Sequence, residues 1–141
     1  MAEEPRFEIV EHTADQALRA YGRDLRELME NAAAGMLALL YVEAPPPSQD
    51  TLELQVEAGS PELVVQHALR ELLYLLEDEG LAPVSVAVPQ ASDHAAALRV
   101  GVVDRELAEP LFGALMKAVT RHGLQIETVA GRLSLVLVFD V

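Results

Sequence analysis

Three short stretches carry residue types that could do chemistry. "EHTAD", residues 11–15, sets His12, Thr13 and Asp15 in one tight connection. Two readings are open for it. In one it is a polar turn, with Asp15 and Thr13 bonding to nearby backbone N–H groups. In the other it is a ligand site, with Asp15 supplying an oxygen and His12 a second ligand, an acid–base group or an orienting hydrogen bond. "VLVFDV", 136–141, is apolar at every position but Asp140, which stands beside the terminal carboxylate of Val141. An ionised carboxylate among Val, Leu and Phe is costly unless paired or coordinated. Alternation puts Asp140 on the face of Val138, at the edge of a core. Either the chain frays into water there, or Asp140 and an oxygen of Val141 help Asp15 to hold a hard cation, since Ca²⁺ and Mg²⁺ take oxygen ligands. "KAVTRH", 117–122, holds the chain's only lysine. In alternation Lys117, Val119 and Arg121 share one face, and Ala118, Thr120 and His122 the other. This is either a basic strand edge that discourages sheet-to-sheet aggregation or a Lys117–His122 pair in the path of a partner or substrate.

Composition narrows what these stretches can serve. The chain has 141 residues, the length of one domain with a real core, and a hydrophobic fraction of 51%. With 4% aromatics and no Trp, the core must be built of Ala, Leu and Val. A net charge of −13 opposes direct binding of a phosphate backbone, which needs clustered Lys and Arg. The absence of Cys excludes disulfides, thiolate zinc sites and cysteine nucleophiles, and is compatible with a reducing cytoplasm. "MAEEPRFEIV" lacks the basic and apolar regions of a signal peptide. No apolar run reaches the roughly 18–20 residues of a membrane span. Dinucleotide, Walker, Gly-x-Ser-x-Gly and His-Glu-x-x-His signatures are missing. No nucleophile with an adjacent base is evident, so a metal-dependent hydrolase built on Asp15, His12 and Asp140 ranks low.

The elements that must position these groups follow from periodicity. Residues 7–10 and 15–22 read as strands. Asp24 is an N-cap, with Glu27 three residues later to complete a capping box, and Leu25, Leu28, Met29, Ala32, Met36, Leu39 and Leu40 recur at helical spacing over about 24–41. "EAPPPSQD", 43–50, is a loop. "TLELQVEA", 51–58, alternates as a half-buried strand. A second helix is capped by Ser60, has Pro61 at its first position and ends at Gly80. "PVSVAV" and "AALRVGVV" form a strand pair joined by the loop "PQASDH". "DRELAEPLFG" is a short helical turn broken at Pro110. "ALMKAVTRHG", "LQIETV" and "RLSLVLVFDV" read as strands, with turns at Gly123 and at 130–131. The order predicts an α+β fold: a largely antiparallel β-sheet packed with two main α-helices in a single two-layer domain, 1–141.

Five blocks, in order and nearly spanning the chain, resemble the archease family: "FEIVEHTADQALRAYG", "LRELMENAAAGMLALL" with its Glu30–Asn31–Ala32, "ELLYLLEDEG", "KAVTRHGLQI" and "LVLVFDV". The resemblance implies a small acidic cytoplasmic protein that is not itself an enzyme. It implies a cofactor of the RtcB-type tRNA-splicing RNA ligase that promotes guanylylation of the ligase's active-site histidine and multiple turnover. It implies a divalent cation, Ca²⁺ with Mg²⁺ as the alternative, held by Asp15, Asp140 and Val141, the last through a main-chain or terminal oxygen. Lys117 matches a lysine of the activating function, His12 would support the site, and His122 would stand at the partner contact. Two positions depart from the family pattern: Arg121 precedes His122 where Tyr is frequent, and Val102 follows Gly101 where an acidic residue is frequent. A chaperone-like interaction module without a metal role is the rival reading.

Overall fold

The last strand in the sequence becomes the middle of the larger sheet. A computed structural model describes residues 5–10, 16–113, 115–121 and 123–141. Strands β1 (Phe7–Val10), β2 (Gln16–Gly22), β3 (Asp50–Glu57), β4 (Leu81–Ala91), β5 (Ala95–Asp104), β6 (Ala118–Val119), β7 (Glu127–Val129) and β8 (Arg132–Asp140) are joined by helices α1 (Leu25–Leu40) and α2 (Pro61–Asp78). The expected turn at Pro110 is a four-residue α3 (Arg105–Ala108) running into a 3₁₀ turn, Glu109–Leu111. The strands separate into two sheets. One runs β1-β2-β8-β6, with β7 also on β8, and the other runs β3-β5-β4. Every pairing is antiparallel. The α+β expectation holds, with the strands in two sheets rather than one.

Helix α1 joins the two sheets. It packs on β1, β2 and β8 of one sheet and on β4 of the other. Its start is capped as expected, the Asp24 carboxylate accepting from the Glu27 amide at 2.8 Å. The reciprocal half of the box differs: Glu27 accepts from the backbone and guanidinium of Arg23, not from Asp24. That exposed contact holds the Glu27 carboxyl below the ordinary range and the Arg23 guanidinium above it. The inner face of α1 is short-chained at its middle, where Ala32, Ala33 and Gly35 are buried between Leu28 and Met29 on one side and Met36 and Leu40 on the other. This lets the helix lie close on β2, where Gly22 is required. A Cβ there would sit 2.3 Å from the Leu28 backbone nitrogen.

The Glu30–Asn31 pair fastens that contact on two sides. Glu30 Oε2 accepts from the Val88 amide at 2.9 Å. It does so beside a bulge of β4 between Ala87 and Gln90, which also accommodates Pro89, a residue with no N–H to give. This is why β4 continues to Ala91 through residues expected to form a loop. Asn31 is buried; its Nδ2 donates to the Tyr21 carbonyl at 2.7 Å and its Oδ1 accepts from Arg6 Nε at 2.8 Å. Tyr21 also carries the Arg132 guanidinium over its ring at 4.2 Å.

Helix α2 follows its sequence signals, with Ser60 capping Leu63, Pro61 in the first turn, and Gly80 at φ +66 beyond its end. It lies on β3, β4 and β5 and reaches across to β6. Ala130 and Gly131, at φ 52 and 78, make the two-residue turn between β7 and β8.

Two outcomes test this frame. Asn31→Ala leaves a buried carbonyl without a donor, which costs about 1–3 kcal/mol and should lower the thermal midpoint by roughly 3–12 °C, read by calorimetry. Tyr41 caps α1, donates to the Pro83 carbonyl at 2.8 Å, and is pushed up to about 12 by burial. Folding therefore favours the neutral phenol. Its contribution is whole below the free phenol's pKa of about 10 and fades as pH rises toward the folded value of about 12. Tyr41→Phe should flatten the alkaline part of the stability–pH curve in denaturant titrations.

Candidate functional site

The site is built where three strands meet at one end of the larger sheet. Strand β8 pairs with β2 from Leu133–Gly22 to Phe139–Gln16. At that last step its other edge carries β6, with Phe139 opposite Val119 and Asp140 opposite Ala118. The Lys117 amide donates to the Asp140 carbonyl at 2.7 Å, and the Thr120 amide to Val138 at 2.9 Å. Lys117, Asp140 and Val141 are therefore brought to one end of the sheet. Gln16, which follows Asp15 in the chain, is brought beside Phe139, which precedes Asp140. His12, Asp15 and His122 lie outside the described residues.

Burial changes along β8 within two residues. Phe139 is fully buried and Val138 is 4% exposed, while Asp140 is exposed and Val141 is 45% exposed. The expectation that Asp140 sits at the edge of the core is corrected. It is the last residue of the ladder, hydrogen-bonded through its backbone, with its side chain in solvent. Its carboxylate and the main-chain oxygens of Val141 are hard donors that fit an alkaline-earth cation and are not desolvated. Among the described residues no three His, Asp or Glu come together as a metal cluster.

The Lys117 segment also departs from expectation. Residues 114–123 read as a strand, yet among the described residues of this stretch only Ala118–Val119 pair as one. Lys117 lies just before it and is exposed, whereas Val119 is 4% exposed, so the two do not share an exposed face. On the edge of β6 away from β8, the carbonyl of Val119 is taken by a side chain: Gln66 Nε2 donates to it at 2.8 Å. Glu62, one turn earlier on α2, accepts from the Ile126 amide at 3.1 Å. Gly123, at φ +65, turns the chain between these two anchors. Likewise "LQIETV" is a strand only over Glu127–Val129.

Gln66 and Glu62 are the residues that sequence reasoning missed. The available signal was Gln66 itself, a polar residue inside the run Val64, Val65, Ala68, Leu69, all of it buried. His67, beside Gln66, is half-buried with Nδ1 3.3 Å from the Glu57 carbonyl. Large apolar side chains are also exposed around this end of the sheet. Leu115, two residues before Lys117, is 45% exposed, and Ile9, paired with Leu18 on β2, is 56% exposed.

The sequence pattern of the Archease protein family matches residues 7–141. The chain belongs to the archease family. It is 32% identical over 127 residues to a protein archease of Thermococcus gammatolerans, covering 86% of this chain and 88% of that one. It is 32% identical over 143 residues to a protein archease of Methanosarcina mazei, covering 96% of each. The fold matches the solution structure of Methanobacterium thermoautotrophicum protein 1598 with a TM-score of 0.69 at 25% identity, over 98% of this chain and 100% of that one. It also matches a Thermotoga maritima crystal structure described as "an archease, possible chaperone", with a TM-score of 0.67 at 21% identity, over 100% of this chain and 98% of that one. Among the described residues no helix is long and apolar enough to cross a membrane.

The contrast within β8 makes a stability prediction. Phe139→Ala removes a fully buried ring and should cost about 3–5 kcal/mol. Asp140→Ala, one residue on and exposed, should change stability by no more than about 0.5 kcal/mol. Parallel urea titrations of the two variants check both values.

Proposed function

We propose that this archease activates an RNA ligase of the RtcB type, promoting the ligase's guanylylation and its multiple turnover through the end of the sheet that carries Asp140, Val141 and Lys117. The observation that carries the reading is the register of β8. It sets Asp140 beside the Lys117 backbone and sets the residue before Asp140 opposite the residue after Asp15. Family membership supports the ligase as partner.

Asp15, Asp140 and Val141 would hold a divalent cation, Ca²⁺ or Mg²⁺, whose charge would relieve the repulsion of carboxylates meeting at one corner. His12 would orient that cluster. Lys117 is an exposed cation in a chain of net charge −13, and it would face the ligase with His122 beside it. Leu115 and Ile9 supply apolar area for the same contact. The archease's part is to bind the nucleotide-competent state of the ligase better than its resting state, which shifts the ligase's population without any bond made on this chain.

The test is transfer of radiolabelled GTP to the cognate ligase over several turnovers, without the archease, with it, and with Asp140→Ala. The expected outcome is full turnover with the wild type and at least tenfold less with the variant, alongside weaker Ca²⁺ binding by calorimetry. Equal activation by both proteins would discard the role of Asp140, and no activation by either would discard the ligase reading. A second reading, a chaperone-like module, draws on the description of the Thermotoga maritima relative. It predicts suppression of aggregation of unrelated clients, indifferent to chelator.

A further inference from the structure

Gln66 does something that packing alone does not ask of it. Its side chain lies in the buried face of α2 and is 3% exposed. Its Nε2 spends one hydrogen bond on the Val119 carbonyl, 53 residues away in sequence. Its Oε1 is buried with no hydrogen-bond partner. An apolar residue of the same length would fill the space without a buried amide, and stranding a carbonyl oxygen there is unfavourable. The position therefore trades stability for a defined contact.

That contact falls on the shortest described strand of the sheet. Strand β6 is two residues long. Its segment is held to β8 by the Lys117 and Thr120 amides. On the opposite edge its carbonyl goes to Gln66, and past Gly123 the chain is caught again by Glu62 through the Ile126 amide. Two side chains one turn apart on a rigid helix thus fix where the Lys117 segment runs. A two-residue pairing alone specifies register weakly, and a slip of one position would turn its side chains to the other face.

We propose that Gln66 is a positioning residue, which sets the register of β6 and thereby presents Lys117 at the Asp140 end of the sheet. This rests on the proposed role of Lys117 in activating the ligase, and the experiment separates the two. Gln66→Met and Gln66→Leu keep the helix and the buried volume, and two variants guard against one that fails to fold. In the isolated protein, residue-resolved amide exchange should quicken by about tenfold or more at Lys117 and Thr120, with Leu18 and Leu137 in the sheet interior unchanged. In the turnover assay, Gln66→Met should raise the archease concentration needed for half-activation several-fold, and should add nothing further in a Lys117→Ala background.

Unchanged exchange at Lys117 and Thr120 overturns the positioning role, whatever the ligase does. Equal quickening throughout the chain overturns it as well, since Gln66 would then be only a structural residue. Local quickening with full activation, or with additive loss alongside Lys117→Ala, overturns the link to Lys117. If wild-type protein fails to activate the ligase, the Lys117 role falls, and the exchange data still decide whether Gln66 sets the register.

Discussion

The pairing of β8 with β2 is the constraint on which the rest of this structure depends. Strand β8 carries β2 along one edge from Leu133 to Phe139, and on its other edge β7 at its start and β6 at its end. Its alternate residues Leu135, Leu137 and Phe139 enter the core that α1 closes. The same ladder that buries Phe139 delivers Asp140 to the sheet's end, so the candidate site inherits its precision from the core. The ladder fixes the backbone of Asp140, while its side chain stands in solvent.

Charge shapes the rest. With 23 acidic and 10 basic residues, the Asp140 carboxylate is under repulsion from the molecule as a whole. The basic side chains are mostly occupied with the fold. Arg6 reaches Asn31, Arg26 reaches Glu30 and the Val88 carbonyl, and Arg105 reaches Glu109 and the Leu76 carbonyl. The bonds to Asn31 and to the two carbonyls stitch elements together, whereas the local ion pairs to Glu30 and Glu109 add little stability by themselves.

Much of the secondary structure was legible because its signals are local. Asp24, the Ser60–Pro61 start and Gly80 mark the helices by backbone chemistry that acts within one turn, and β3 shows its buried face by simple alternation. The separation into two sheets was not legible, because no local pattern says that β8 will choose β2 while β5 takes β3 and β4. Residues 114–123 were misread for the same reason. Their apolar and β-branched content suits a strand, but the far edge of the segment meets Gln66 of α2, which takes the Val119 carbonyl, and no described strand. Of the candidate site, the sequence named Asp140 and Lys117 from residue type and family resemblance. Their meeting at one end, and the supporting Gln66 and Glu62, arise from contacts across 23, 53 and 64 residues.

The order of the larger sheet also governs how the chain can reach it. Leu18 and Leu137 are partners although more than a hundred residues separate them, so the sheet closes only after its slowest loop does. Until then β2 stands as an open edge beside β1, an apolar strand with unpaired amides, the kind of edge that invites association with another chain. The helices and the β3-β5-β4 sheet can form before that event, because their contacts are closer in sequence. The β2 side of the corner cannot: Gln16 comes beside Phe139 only with the long-range pairing, so a chain that presents all three strands at this corner has closed its larger sheet.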